Sequence, residues 1–151
     1  MKNGRLLHYS HCVSDIERSR AFYTDVLGFE VAEEVELDEE KTGGVMQVPG
    51  CRFQGVFLQR DGMRIELIGF SEPAPEPAAR RRATNEIGHS HLSFYVADLD
   101  AEIEELAAKG VRVESRTRVP AGLDTISIRD PDGFLVRLIQ TPSLKLVPYE
   151  R

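Results

Sequence analysis

One stretch of this chain is written twice. His8-Tyr9-Ser10-His11-Cys12-Val13-Ser14-Asp15-Ile16-Glu17 returns as His91-Leu92-Ser93-Phe94-Tyr95-Val96-Ala97-Asp98-Leu99-Asp100. With His8 laid on His91, Ser10 falls on Ser93, Val13 on Val96, Asp15 on Asp98 and Ile16 on Leu99. Internal repetition constrains a fold more than any local propensity, because each copy must adopt the same supersecondary unit. The chain therefore reads as a diverged duplication whose two histidines are a matched pair.

Each copy opens as a strand that runs into a helix. Leu6 to Val13 alternates as a strand, with His8, Ser10 and Cys12 on one face and Tyr9, His11 and Val13 on the other. Ser14 followed three residues later by Glu17 predicts an N-cap and capping box. Gly28 predicts the end of that helix. Strands are expected over Phe29–Glu36, Phe53–Gln59 and Met63–Gly69, the last two joined by an Asp61-Gly62 hairpin turn. The second copy predicts strands over His89–Val96, Val111–Arg116, Asp124–Ile128 and Phe134–Gln140, with a helix capped by Asp98 and ended by Gly110. Asp130-Pro131-Asp132-Gly133 forms a turn. Asp38–Gly50 has no counterpart in the second half and reads as an inserted loop.

The expected fold class is α+β: two tandem βαβββ modules forming an open curved barrel with the helices outside. The N-terminal module spans 1–70 and the C-terminal module 88–151. A proline- and arginine-rich linker at 71–87 joins them, and the two modules together make one domain. At 151 residues the chain can bury a core without disulfides. Its net charge of −6 argues against nucleic-acid binding. Arg80-Arg81-Arg82 is the one basic cluster and reads as solvated linker. Two isolated cysteines make no disulfide framework, and Cys12 reads as a small buried thiol. No apolar run reaches the roughly 18 residues that span a membrane, and the N-terminus lacks a signal pattern. A cytoplasmic setting is expected.

The two hairpin turns align as well. Asp61-Gly62 lies over Asp132-Gly133, which places Glu66 on Arg137. If apolar Ile65, Leu67, Val136 and Leu138 face the helices, then His8, Glu66, His91 and Arg137 face the concave side. Two histidines and a carboxylate are a recognised donor set for a divalent metal ion with open positions, such as zinc, nickel, iron or manganese. Ser93 and Tyr95 share that side and are candidate substrate contacts. His89 reads as a rim residue, and His11, out of phase, as packed or exposed. Arg137 is open to two readings: a clamp for a substrate carboxylate or phosphate, or a partner for Glu66 in a site that no longer holds metal.

His8 to Phe29, Ile65-Glu66-Leu67-Ile68, His91 to Leu99 and Asp130-Pro131-Asp132-Gly133-Phe134 together resemble the vicinal oxygen chelate superfamily. That superfamily includes glyoxalase I, methylmalonyl-CoA epimerase, extradiol dioxygenases, fosfomycin resistance proteins and bleomycin-binding proteins. The resemblance implies paired βαβββ modules, usually in a homodimer, and a divalent metal chelated by two oxygens of a small-molecule substrate. It implies His8, Glu66 and His91 as metal ligands; Glu66 is the only carboxylate at a matched site, so either it leaves the metal to act as the catalytic base or an unassigned group takes that role. It also implies a glutamate in the fourth ligand slot, where this chain has Arg137. The activity so implied is that of a metal-dependent lyase or isomerase. The alternatives are a metal-free small-molecule binding protein and an extradiol-type oxygenase.

Overall fold

A computed structural model describes residues 4–42, 44–76, 83–120 and 122–142. The chain divides between Pro77 and Ala78 into two compact units. The Arg80–Arg82 run and the C-terminal tail lie outside the described residues.

In the N-terminal unit β1 (Tyr9–Cys12) leads into helix α1 (Ile16–Ala21), which continues as one wider π turn over Phe22–Val26. Then come β2 (Glu30–Asp38), the short helix α2 (Glu39–Thr42), β3 (Arg52–Arg60) and β4 (Met63–Glu72). The sheet order is β1-β4-β3-β2, with β1 parallel to β4 and the other pairs antiparallel. The C-terminal unit runs β5 (His91–Tyr95), α3 (Leu99–Ala108), β6 (Ser115–Val119), β7 (Leu123–Arg129) and β8 (Leu135–Gln140). Its sheet order, β5-β8-β7-β6, repeats the first, again with the opening strand parallel to the last. The duplication read in the sequence is thus a duplication of topology, and the fold is α+β.

Each sheet buries one face under its helix. In the first unit Val56, Leu58, Ile65 and Leu67 alternate onto that face beside Val13, Tyr23 and Leu27, all nearly inaccessible. Gly69 permits a close approach there, since a Cβ on it would stand 2.9 Å from Ile16 Cβ. In the second unit Ile126, Ile128, Val136 and Leu138 pack with Leu99 and Leu106. The faces expected from the alternation are the faces observed.

Several boundaries move. Asp15, not Ser14, caps α1: its carboxylate accepts from Arg18 N at 3.0 Å, while the Ser14 hydroxyl accepts from the Arg18 guanidinium. A carboxylate at a helix N-terminus also meets the positive end of the helix dipole. Asp98, its counterpart in the repeat, caps α3 as expected. Strand β6 begins at Ser115 rather than Val111, because the Val111 amide turns back to the Leu106 carbonyl and closes the helix end at Gly110. Phe29 is drawn in the same way to Tyr23, so β2 starts one residue later.

The insertion is more than a loop. After α2 its chain returns so that the Gly50 amide donates to the Glu39 carboxylate at 2.7 Å. Met46 and Val48 pack with Leu37 and Phe70 against buried Cys51, Phe53 and Ile68. By register Phe53, Ile68 and Phe70 lie on the sheet face opposite the helix. One end of that face is therefore covered by the inserted segment.

Candidate functional site

Four strands place a row of side chains across the uncovered part of this face. Ser10 pairs with Glu66, Glu66 with Phe57, and Phe57 with Glu33. His8 stands just before β1, two residues from Ser10 and so on the same side. Glu66 is only 9% exposed. A carboxylate taken that far from water needs polar partners, and it has two on one oxygen. The Ser10 hydroxyl donates to Glu66 Oε2 at 2.5 Å, and His8 Nε2 lies 3.2 Å from the same atom. The other oxygen, Oε1, turns toward Gly55, where a Cβ would come within 3.3 Å of it and 3.0 Å of Val35. The missing side chain at Gly55 is the space the carboxylate occupies.

The His8 ring meets Phe57 edge-on at 5.3 Å between centroids. Phe57 is in turn covered by the Arg64 guanidinium at 4.4 Å, itself paired with Glu33 at 2.8 Å. His8 Nδ1 is buried and has no hydrogen-bond partner. The imidazole is thus held through Nε2 and its ring edge.

The second unit repeats the row with different chemistry. Ser93 pairs with Arg137, Arg137 with Ser127, and Ser127 with Ser115. His91 opens β5 two residues before Ser93, as His8 precedes Ser10, and its Nδ1 lies 2.8 Å from the Ser90 hydroxyl. Burial, and then the charge of Arg137, hold the His91 imidazole below its ordinary pKa. Ser93 is exposed, and Tyr95 is 44% exposed.

The structure thus joins His8 with Glu66 in one unit and sets His91 near Arg137 in the other. Within either unit no third His, Cys, Asp or Glu gathers with them among the described residues. His11 is out of phase as expected, its ring near Tyr9 and Tyr23. Cys12 is exposed, not buried; it continues the Ser10 face, while Cys51 is the buried thiol. Sequence reasoning assigned no role to Ser10 or Gly55. The phase of Ser10 with His8 was a readable signal, but nothing local marks Gly55.

Residues 5–138 match the family model of the Glyoxalase/Bleomycin resistance protein/Dioxygenase superfamily. The chain belongs to this superfamily. A mitochondrial methylmalonyl-CoA epimerase of Bos taurus is 31% identical, covering 91% of this chain and 74% of its own. A probable lactoylglutathione lyase of Vibrio parahaemolyticus is 29% identical, with 93% of each covered. Among solved structures, a glyoxalase family protein from Bacillus cereus superposes with a TM-score of 0.77 at 22% identity, covering 93% of this chain and 97% of that one. At that identity the likeness shows the fold. Relatives in the superfamily thus include an epimerase and a lyase. No helix among the described residues is long and apolar enough to cross a membrane.

Proposed function

We propose that this glyoxalase-superfamily chain is a lyase or isomerase that acts on a small oxygenated substrate at a divalent metal ion held by His8, Glu66 and His91. The observation that carries the reading is the 3.2 Å separation of His8 Nε2 and Glu66 Oε2. Donors about 2.0–2.2 Å from one ion, at angles between square and tetrahedral, lie roughly 2.8–3.6 Å apart. The pair therefore fits neighbouring positions on a cation. His91 joins the set as the repeat counterpart of His8. The ion when bound supplies Lewis acidity for the charge that develops on the substrate oxygens.

The side chains do the rest. Ser10 and His8 fix Oε2 of Glu66, and Glu66 is the carboxylate that takes and returns the substrate proton. Arg137, Ser93 and Tyr95 orient the substrate from the second module. The epimerase and lyase names among the relatives support proton-transfer chemistry. The reading includes two modules acting as one domain, a cytoplasmic setting and a homodimer.

One observation favours a second reading, a metal-free binding protein: the Arg137 charge that disfavours a protonated His91 disfavours a metal cation there as well. An oxygenase stands behind both. Elemental analysis of untagged protein separates the first two readings. One equivalent of metal in the wild type and none in a His8→Ala, His91→Ala double variant is expected. No metal in either, after loading with nickel, zinc or iron, sinks the metal mechanism.

A further inference from the structure

We propose that the row Ser93–Arg137–Ser127 in the C-terminal module is an oxyanion subsite, and that the substrate carries a carboxylate or phosphate group that binds there. This deepens the reading above, on which its catalytic relevance rests.

Register sets the row. Arg137 on β8 has Ser93 of β5 on one side and Ser127 of β7 on the other, with Ser115 of β6 next across the sheet. All lie on the face opposite the helix, since Val136, Leu138, Ile126 and Ile128 occupy the buried side. A guanidinium presents donors in a planar fork that matches two oxygens of one anion. Flanking hydroxyls donate to the remaining oxygens.

Arg137 also lacks the partner its neighbours have. Arg116 and Arg118 pair with Asp124, and Arg129 pairs with Glu114 at 2.8 Å. No carboxylate of its own unit pairs with Arg137 among the described residues. It is nonetheless half-buried, between half-buried Leu135 and Ile139 on the same strand face. A cation placed so, with hydroxyls rather than carboxylates beside it, leaves its charge to be met from outside the module.

The matched row in the N-terminal module gives the contrast. There the corresponding position is Glu66, and the inserted 38–50 segment packs apolar side chains on the same face. The second module has no such insertion, and Ser93, Ser115 and Tyr95 stay exposed. Duplication has thus diverged at one matched position, a carboxylate in the first module and a guanidinium in the second.

The test uses the full chain freed of metal with a chelator, then dialysed and titrated calorimetrically with inorganic phosphate and, separately, with propionate. A parallel nickel titration without either anion reports on the metal. The wild type is expected to bind at least one of the two anions, and the preferred one names the group. Arg137→Gln should weaken it about tenfold or more, the worth of one charge-assisted hydrogen bond. Arg137→Lys, which keeps the charge without the fork, should fall between. Ser127→Ala, the milder change, should weaken binding a few-fold. Absence of anion binding in the wild type, or equal binding in wild type and Arg137→Gln, overturns the subsite. Anion binding that appears only in Glu66→Gln also overturns it, and makes Glu66 the counter-ion. Nickel binding without anion binding defeats the subsite alone. Anion binding without nickel binding leaves it standing and defeats the metal reading.

Discussion

A carboxylate at 9% exposure keeps its place only if its oxygens are held, and Glu66 is held by two residues of little bulk. Ser10 supplies a hydroxyl at 2.5 Å, and Gly55 supplies room. Neither is a metal-ligand type, yet both decide where Oε2 points. Ser10→Ala removes one hydrogen bond to a charged group, worth about 1.5 kcal/mol. Nickel affinity by calorimetry should fall roughly tenfold, and Ser10→Thr should restore it. The melting temperature should also fall by a few degrees, because a carboxylate at 9% exposure loses one of its partners. Gly55→Ala tests the same carboxylate from the other side. An added Cβ would crowd Val35 and Glu66 Oε1, so metal affinity should drop even though alanine is no worse than glycine in a strand. If both variants bind nickel like the wild type, Glu66 is not a ligand.

At the scale of elements, the repeat made the order strand, helix and three strands legible, because alternation and helical spacing occur in both copies. Caps and strand starts were less so. Ser14 satisfied a local motif, but Asp15 won the cap because its charge adds to its hydrogen bond; its match to Asp98 already pointed there. The late start of β6 follows from a backbone bond at the helix end that no side chain announces. This strand is exposed throughout, so its registry rests on charge rather than burial. Arg116 and Arg118 both reach Asp124 across the β6–β7 pair, and Arg116 also reaches Asp100. Hydrogen bonding to Arg116 holds the Asp124 carboxyl below its ordinary value of 3.8. A depressed carboxyl contributes stability that is whole above that value and is lost as pH falls through the folded-state pKa. Amide-exchange protection of β6 should therefore weaken below about pH 4, and with added salt at neutral pH. Asp124→Asn should weaken it at neutral pH and flatten both dependences. Protection unchanged by that substitution would show that backbone pairing alone fixes the strand.

For the molecule as a whole, the two histidines at matched repeat positions were legible in the sequence, because such a match is improbable by composition alone. The hydroxyl row was not legible, because Ser115 and Ser127 acquire meaning only when strand register sets them in line with Arg137. That pairing also hid a choice between a cation site and an anion site, and one substitution decides it. On the metal reading, Arg137→Glu supplies the glutamate that the superfamily resemblance implies at this position, and puts a negative charge beside His91 where Arg137 now puts a positive one. In a partly desolvated site such a reversal is worth at least about 1.4 kcal/mol, so nickel should bind ten or more times tighter. Phosphate or propionate binding should vanish in the same variant. Because Arg137 is only half-buried on β8, the change should leave the fold intact, which a thermal melt would check. Unchanged nickel affinity in a folded Arg137→Glu protein would mean that position 137 does not face the ion, and the metal would then have to be sought without it.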